Sequence, residues 1–538
     1  MGWQFGLQAV WNARLKQKPQ TKTTNASLKA VHQRNSQSRQ LTKVELTAYS
    51  LNNLNRNERN PMKNKMIPGF ATLLLLLQLT ALHAAEPPKL PAPPIQITVD
   101  AAKPLWSISR HLTGMHFVYG FERDSLYRDE RIADWMKRAK VGMIRWPGGT
   151  AVQSYHWDQL NGISFGADTW DPECRQPPAP PADYMDLDEY IAFCRRIGAE
   201  PMVGVNLNSG RQFNRLQDSL DEARRLIGYC RDKGYKVRHW YIGNECFKGW
   251  TAEKYAASID LYANALKSVD PDIVIVGDWK FGPTVKHRFE QTLLIAKTAK
   301  QLNVMEIHEK WGTEWGMNEE TGAGTLQDWQ KEAGLYNGKL DACIERFLAE
   351  MKAAGKDVKI AFNEWGADMK GDSTPFTIAL VKADYLISLF RHPVYSACDW
   401  NLNMGSPKSK ILISANKGHE LTGFNPAARV FELCAPALGQ QSVAMTSSDP
   451  LVYGFSAKDP VTDAVQIYLL NKYSDPVTVE LAIGGIQLQN ATCVVASFVE
   501  PGMVKETNER LVEDKKPRAI QLAPLSFNRI TVNPAPKE

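Results

Sequence analysis

The stretch Val237-Arg-His-Trp-Tyr-Ile-Gly-Asn-Glu245 contains an apolar run of strand length that ends in polar residues. An amphipathic segment of helical period follows it at 252–269. Apolar runs of this kind recur along the chain at 112–118, 141–146, 201–207, 237–242, 273–276, 304–307, 358–362 and 395–400, and helical segments lie between most of them. Eight strands that alternate with helices are typical of a TIM barrel. The sequence therefore predicts an α/β fold with a (β/α)8 barrel over residues 107–429.

The pattern changes near residue 430, where short alternating runs replace the helical period. Such runs predict a C-terminal antiparallel β-sandwich over 430–538. An alternating segment at 95–106 precedes the barrel and has no partner in it. We expect this strand to pair with the C-terminal sandwich.

The charge is distributed unevenly along the chain. Residues 1–65 hold 12 of the 64 Lys and Arg residues but only two of the 58 Asp and Glu residues, so the net charge of +6 comes from this segment. The remainder is mildly acidic and has no basic stripe. A nucleic acid partner is therefore not expected.

The N-terminal region predicts export. The basic stretch Met62-Lys-Asn-Lys-Met66 precedes an apolar run at 67–82 and then His83-Ala-Ala85. This arrangement is typical of a signal peptide, predicted over 62–85 with cleavage near Ala84/Ala85, and hence of a secreted or periplasmic protein. The apolar run is shorter than the roughly 20 residues of a membrane-spanning helix, so no stable anchor is expected. Residues 1–61 are interpreted as disordered or as the product of a wrongly chosen start codon, and residues 86–94 as a Pro-rich linker.

Two glutamates end apolar runs that are predicted strands. Glu245 follows the fourth run, and Glu364 ends the seventh in Ile360-Ala-Phe-Asn-Glu364. The carboxyl ends of barrel strands face one mouth, where the catalytic groups of this fold lie. Cleavage of a glycoside with retention of configuration needs two carboxyl groups about 5 Å apart. The pair therefore predicts a retaining glycoside hydrolase acting on a polysaccharide or oligosaccharide.

Other polar and aromatic residues at the predicted strand ends are candidates for substrate binding. Arg145 ends the second run and can contact Glu364, while Asn244 can donate to a sugar hydroxyl. The remaining candidates for the pocket wall are His308, Trp311 and Trp400. His308 and Glu309 are adjacent and point to opposite faces of a strand, and no third ligand accompanies them, so no metal is predicted.

The motifs resemble those of clan A glycoside hydrolases, and most closely the α-L-arabinofuranosidases of glycoside hydrolase family 51. The resemblance is carried by Ile144-Arg-Trp-Pro-Gly-Gly149 with Tyr155-His-Trp-Asp158, Trp240-Tyr-Ile-Gly-Asn-Glu245, Glu306-Ile-His308 through Gly312, and Ala361-Phe-Asn-Glu-Trp365. It implies that Glu245 is the general acid/base, Glu364 the nucleophile, Asn244 the partner of the hydroxyl next to the anomeric carbon, and Arg145 a neighbour of the nucleophile. It implies no metal or organic cofactor.

Three positions depart from the family pattern. The first-strand motif reads Gly114-Met-His-Phe-Val-Tyr119 where the family usually has a substrate-binding Glu, and Thr150 stands where it has an Asn. Asn363 replaces the Asp that precedes the nucleophile in many members. A buried hydroxyl without its partner costs roughly 1–3 kcal/mol, so such changes are enough to alter the preferred sugar.

Three alternatives remain open at the level of sequence. The first is another retaining clan A activity, such as a β-xylosidase, a β-glucuronidase or an endo-glucanase. The second is a barrel that binds carbohydrate without cleaving it, although both glutamates are present. The third is a metal-dependent barrel enzyme such as an isomerase, for which His308 with Asp278 or Asp399 offers candidate ligands.

Overall fold

The computed structural model describes residues 93–534, apart from short segments at 159–167, 175–183, 280–285, 313–323, 372, 405–407, 415–419, 487, 489–490, 511, 514–515 and 518. Eight parallel strands close into a barrel in chain order. They are Gly114–His116 (β2), Met143–Trp146 (β3), Glu200–Val205 (β4), His239–Ile242 (β5), Val274–Trp279 (β6), Val304–Trp311 (β7), Lys359–Ala367 (β8) and Ala397–Asp399 (β9). The predicted (β/α)8 barrel is confirmed.

Helices surround the barrel as its amphipathic segments predict. They span Asp124–Arg128, Glu130–Arg138, Leu187–Ile197, Asn208–Gln212, Leu216–Asp232, Ala252–Lys267, Lys286–Thr298, Leu326–Lys331, Lys339–Ala353, Pro375–Phe390 and Ala427–Cys434. The helix Leu187–Ile197 shows how local sequence sets these limits. It begins with a capping box between Asp186 and Glu189 and ends at Gly198, whose φ of 77° is left-handed. Both signals satisfy backbone groups that a helix end leaves without partners.

The strand Ile95–Ser107 (β1) lies in a second, mostly antiparallel sheet. The other strands of this sheet are Gln441–Ser447 (β12), Val452–Lys458 (β13), Val465–Asn471 (β14), Val477–Gly484 (β15), Thr492–Val499 (β16), Met503–Arg510 (β17), Ala519–Leu522 (β20) and Ser526–Asn533 (β21). β1 pairs antiparallel with β12 and parallel with β15. Buried residues from most of these strands form one hydrophobic cluster, which fits the predicted sandwich. Four short strands complete the described chain, Leu412–Ser414 (β10), Leu421–Phe424 (β11), Val512–Glu513 (β18) and Lys516–Pro517 (β19).

The helix Pro375–Phe390 joins the barrel to this sheet and is buried on nearly every side. Its Asp384 accepts hydrogen bonds from Trp329 Nε1 at 2.7 Å and from the Tyr453 hydroxyl at 2.5 Å, and Lys472 Nζ lies 2.8 Å away. Because a buried carboxylate is costly without partners, these contacts fix the sheet against the barrel.

The predicted signal peptide and the segment before it lie outside the described residues. Among the described residues, no helix is long and apolar enough to cross a membrane. The eight cysteines are free thiols, and all but Cys174 are buried.

Candidate active site

Glu245 lies in the loop that follows β5, and its backbone is held in an unusual conformation. Its φ is 47°, in the left-handed region that residues other than glycine seldom adopt. Its N–H donates to Oδ2 of Asp278, the buried carboxylate near the end of β6. The Tyr255 hydroxyl donates to Oδ1 of Asp278 at 3.1 Å and so orients it. Asp278 therefore fixes the loop that aims Glu245 into the barrel mouth.

Glu364 projects from β8 and is surrounded by cationic groups. Lys310 Nζ donates to Glu364 Oε1 at 3.0 Å, and Arg145 Nη1 lies 3.9 Å from Oε2. Burial alone would raise the pKa of Glu364, but the charges of Lys310, His308 and Arg145 outweigh it and hold the pKa well below its usual range. Glu364 is therefore ionised at neutral pH, as a carboxylate nucleophile must be.

The structure brings the two glutamates together across the mouth. One carboxylate oxygen of Glu245 and one of Glu364 lie within 4.8 Å of each other. Nδ1 of His308 lies between them, 3.5 Å from Glu245 Oε1 and 3.5 Å from Glu364 Oε2. Lys248 Nζ contacts Oε2 of Glu245 from the other side. The separation fits the spacing of about 5–5.5 Å that retaining glycosidases use.

Arg145 lies at the floor of the site and connects its polar groups. Its Nη2 donates to Asn244 Oδ1 at 2.9 Å and to Glu306 Oε1 at 2.8 Å. The guanidinium carbon lies 4.0 Å from the centre of the Tyr241 ring, which fills the barrel below it. Arg145 thus holds the Asn244 amide in one orientation and lies beside Glu364, the position that the sequence predicted for it.

Asn363 supports the same floor from β8. Its Nδ2 donates to Glu306 Oε2 at 2.9 Å, and its Oδ1 accepts from the Ser396 hydroxyl at 2.8 Å. Its backbone carbonyl contacts His116 Nε2. An aspartate at 363 would place a second carboxylate against Glu306, so the departure from the family pattern fits its surroundings here.

The two glycines after β3 allow close packing around this floor. Gly148 has a φ of 76°, and its N–H donates to the Tyr241 hydroxyl at 3.1 Å. A Cβ at Gly148 would lie 2.5 Å from the Phe117 carbonyl oxygen, and one at Gly149 would lie 2.8 Å from the Trp400 ring. Both positions require glycine for steric as well as conformational reasons.

Of the two predicted tryptophans, only Trp400 lies at the mouth. Its indole is half-buried, with Lys310 Nζ 4.7 Å from the centre of its ring. The centres of the His116 and Trp400 rings lie 5.0 Å apart, with the ring planes nearly perpendicular. The prediction that Trp311 binds substrate is wrong. Trp311 is fully buried on the outer side of β7, where Nε1 donates to Glu332 at 3.1 Å. Side chains alternate along a strand, so His308 and Lys310 face the mouth and Trp311 faces the helices.

His308 and Glu309 do not form a ligand pair in either of the two groups of carboxylates that surround His308. Asp278, Glu306 and His308 bring one ligand atom each within 4.8 Å of one another, as do Glu245, His308 and Glu364. These donors, however, already serve Arg145, Lys310 and the Glu245 backbone. A divalent cation at this place would repel the Arg145 guanidinium, so the residues fit an ion-pair network better than a metal centre.

Sequence reasoning missed several members of the site. Side chains alternate along β7, so Lys310 faces the mouth and Trp311 does not. This alternation could have been inferred from the sequence. Lys248 reaches Glu245 from the turn after it, and His116 reaches β8 across the barrel. The His116 contact depends on tertiary packing and leaves no mark in a single sequence, whereas Lys248 lies only three residues after Glu245, a spacing that the sequence shows. Asp399, offered as a metal ligand, instead pairs with Lys382 at 2.6 Å.

Comparisons with known proteins agree with this geometry. Residues 135–311 match the sequence model of the α-L-arabinofuranosidase 1 domain. The chain is 29% identical to α-L-arabinofuranosidase C of Emericella nidulans over 205 residues, which is 32% of this chain and 36% of that protein. It is 22% identical to an intracellular exo-α-(1→5)-L-arabinofuranosidase of Acetivibrio thermocellus over 277 residues, 46% of this chain and 49% of the other. The chain thus spans between about a third and a half of these relatives' length.

Solved structures share the fold over most of the chain. The α-L-arabinofuranosidase of Thermotoga maritima superposes with a TM-score of 0.62 at 21% identity, covering 82% of this chain and all of the other. A bifunctional glucanase-xylanase from a metagenome library superposes with a TM-score of 0.58 at 12% identity, covering 83% of this chain and all of the other. The resemblance indicated by the motifs is confirmed: this chain is similar to the family 51 α-L-arabinofuranosidases among the clan A glycoside hydrolases.

Proposed function

We propose that the protein is a retaining glycoside hydrolase of the α-L-arabinofuranosidase type, with Glu364 as nucleophile and Glu245 as general acid/base. The observation that carries the proposal is the approach of the two carboxylates to within 4.8 Å across the ends of β5 and β8. A second support is that the relatives similar in sequence are named as arabinofuranosidases. The substrate is a polysaccharide or oligosaccharide.

The reaction proceeds in two displacements. In the first, a carboxylate oxygen of Glu364 attacks the anomeric carbon while the carboxylic acid of Glu245 donates its proton to the departing glycosidic oxygen. In the second, Glu245 takes a proton from water, the hydroxide attacks the anomeric carbon, and the ester to Glu364 breaks. Arg145 and Asn244 act by position, the first beside the nucleophile and the second as a donor toward a sugar hydroxyl.

Hydrolysis of aryl glycosides tests the proposal. Aryl α-L-arabinofuranoside is compared with aryl β-xyloside, β-glucoside and β-glucuronide, with Glu364→Ala as the inactive control. An aryl glycoside fluorinated next to the anomeric carbon slows the second step and should leave a glycosyl ester on Glu364, found by mass spectrometry of peptides. The absence of turnover on every glycoside, with no labelled peptide, contradicts the proposal.

We further propose that the protein is exported. The support is the basic stretch, apolar run and small residues of 62–85. Expression in a bacterial host with fractionation and N-terminal sequencing tests it, and the mature chain should begin near Glu86. A protein that keeps residues 62–85 and stays in the cytoplasm contradicts it.

A further inference from the structure

Two lysines lie against the two candidate catalytic carboxylates. Lys310 donates to Glu364 at 3.0 Å, and Lys248 Nζ contacts Glu245. Each lysine is more exposed than its partner, with 23% against 7% for Lys310 and Glu364, and 30% against 18% for Lys248 and Glu245. Solvent therefore reaches the lysine side chains of these pairs more than it reaches the carboxylates.

Cleavage of a neutral glycoside does not require either lysine at these places. Arg145 and His308 already face Glu364 from within the barrel. Glu245 must carry a proton when it acts as general acid, whereas an ammonium in contact with a carboxyl group favours the ionised form. For a neutral substrate Lys248 would thus oppose the first step of the reaction.

Lys310 also occupies the aromatic surface at the mouth. Its Nζ lies 4.7 Å from the centre of the Trp400 ring, in a cation–π arrangement. A sugar ring that stacks on this face of the indole must displace the ammonium group. When its ammonium group is displaced, Lys310 loses its contacts with the Trp400 ring and with Glu364. An anionic group on the substrate would provide a new partner for this charge.

We propose that Lys310 and Lys248 select glycosides that carry a negative group, either a uronic acid carboxylate or a sulfate ester, next to the bond that is cleaved. The proposal rests on the double-displacement hydrolysis of the proposed function and departs from it in the sugar, since an arabinofuranoside is neutral. The ammonium groups exchange their contacts with the two glutamates for contacts with the anionic group of the substrate. Glu364 is then uncovered for attack, and Glu245 takes up a proton from solvent.

The test measures kcat/KM of the full chain on matched pairs of substrates. Aryl β-glucuronide and aryl β-glucoside differ only in the carboxylate, and aryl β-glucoside sulfated at its primary hydroxyl carries the other candidate group. The variants are Lys310→Met and Lys248→Met, since methionine keeps an unbranched side chain of similar length without the charge. The control is Lys359→Met, because Lys359 lies at the opposite end of β8 and is exposed beside Asp357.

We expect the wild type to prefer one of the acidic substrates by at least about tenfold, the size of one charge-assisted hydrogen bond. Each mouth variant should lower kcat/KM on that substrate by about 10- to 100-fold. Hydrolysis of the neutral glucoside should fall by a smaller factor in both, since Arg145 and His308 still face Glu364, and Lys359→Met should match the wild type. Which acidic substrate is preferred decides between carboxylate and sulfate.

Binding separates this inference from the proposed function. Calorimetric titration with uronic acid, sulfated and neutral oligosaccharides measures binding affinity independently of hydrolysis. Hydrolysis of neutral glycosides alone, abolished by Glu364→Ala, overturns the inference and keeps the proposed function. Binding of acidic oligosaccharides that requires both lysines, without hydrolysis of any glycoside, overturns the proposed function and keeps the recognition of acidic sugars by the two lysines. An equal loss on acidic and neutral substrates in the lysine variants, or no binding of either acidic class, overturns the inference.

Discussion

Nη2 of Arg145 lies 2.8 Å from Oε1 of Glu306, and neither side chain is exposed to solvent. Burial would raise the pKa of Glu306, but the charge of Arg145 and the hydrogen bond from His308 outweigh it and lower the pKa to about 2. Removing one member of a buried ion pair costs about 3–5 kcal/mol, because the other charge is left without compensation. Arg145→Met should lower the free energy of unfolding in urea by that amount and abolish turnover.

Arg138→Met is the matched control for this prediction. Arg138 pairs with Glu432 at 2.8 Å, but its side chain is 55% exposed. Exposed pairs contribute about 0–1 kcal/mol, so this variant should stay close to the wild type in stability. If the two variants lost the same free energy of unfolding, burial would not make the Arg145–Glu306 pair more important for stability than the exposed pair.

Asp278→Asn should lower kcat without a matching rise in KM. The carboxylate accepts from the Glu245 backbone N–H, and this residue is held at a left-handed φ. Exchange of the carboxylate for an amide weakens that bond, so Glu245 leaves its position and kcat falls by about 10- to 100-fold. Asp272→Asn, an exposed change just before β6, is the control. A variant that changes only KM, or only thermal stability, would contradict the positioning role.

The roles of the two glutamates can be separated by the leaving group and by azide. Glu245→Ala should keep kcat/KM, which reports the first displacement, on aryl glycosides with acidic phenols, because these leave without a proton, and should lose about 10²- to 10⁴-fold on poor leaving groups. Its turnover number should fall on both, because the second displacement loses its general base. Glu364→Ala should lose turnover on both. Azide should restore product in both variants, with retained configuration for Glu245→Ala and inverted configuration for Glu364→Ala, as nuclear magnetic resonance of the product shows. The opposite pair of configurations would exchange the two assignments.

Chelators should leave activity unchanged. The carboxylates and the histidine that come within 4.8 Å of one another share the site with Arg145 and Lys310, whose charges they already balance. Turnover after dialysis against a chelator is compared with turnover after added zinc, manganese or calcium. A loss that one of these ions restores would assign the cluster to a metal and remove the basis for an ion-pair network.

The periodicity of the sequence was sufficient to predict the barrel, because each apolar run of strand length corresponds to one of its strands. It did not predict that β7 and β8 extend to Trp311 and Ala367, beyond the apolar runs at 304–307 and 358–362. In these extensions the polar residues that face the mouth alternate with Trp311 and Trp365, which remain in the hydrophobic core, so the extensions do not form one uninterrupted apolar run. The contact of Asp278 with the Glu245 loop follows from the pairing of neighbouring strands, which periodicity alone does not specify.

Trp311 is close to His308 in sequence, but its buried indole has a structural role instead of a place in the pocket wall. Its indole donates to Glu332, whose Oε2 also accepts from the Tyr336 N–H at 2.9 Å. Trp311→Phe should therefore lower the free energy of unfolding by about 1–3 kcal/mol, the cost of a buried acceptor that loses one donor. KM should not change, whereas Trp400→Phe should raise it. A rise in KM for Trp311→Phe alone would return this residue to the pocket wall.

A buried histidine in the segment that follows β3 predicts how stability depends on pH. Nδ1 of His156 lies 2.9 Å from both carboxylate oxygens of Glu222, and Nε2 lies 3.1 Å from Asp168. Burial would lower the pKa of His156, but the hydrogen bonds to Asp168 and Glu222 outweigh it and raise the pKa to about 9. The folded state therefore binds this proton more tightly than the unfolded chain does. The stabilisation is fully present below the ordinary value of 6.5 and is lost as pH rises through about 9.

Urea unfolding at about pH 6 and pH 9.5 should show a fall of roughly 3 kcal/mol in the wild type, since the proton no longer favours the folded state at the higher pH. His156→Gln should be less stable at the lower pH and should show a smaller fall, because glutamine does not titrate. Glu222→Gln should lie between them, since it leaves Asp168 as a partner. If all three proteins lose stability equally over this range, another group titrates, and the His156 cluster does not set the alkaline limit of the fold.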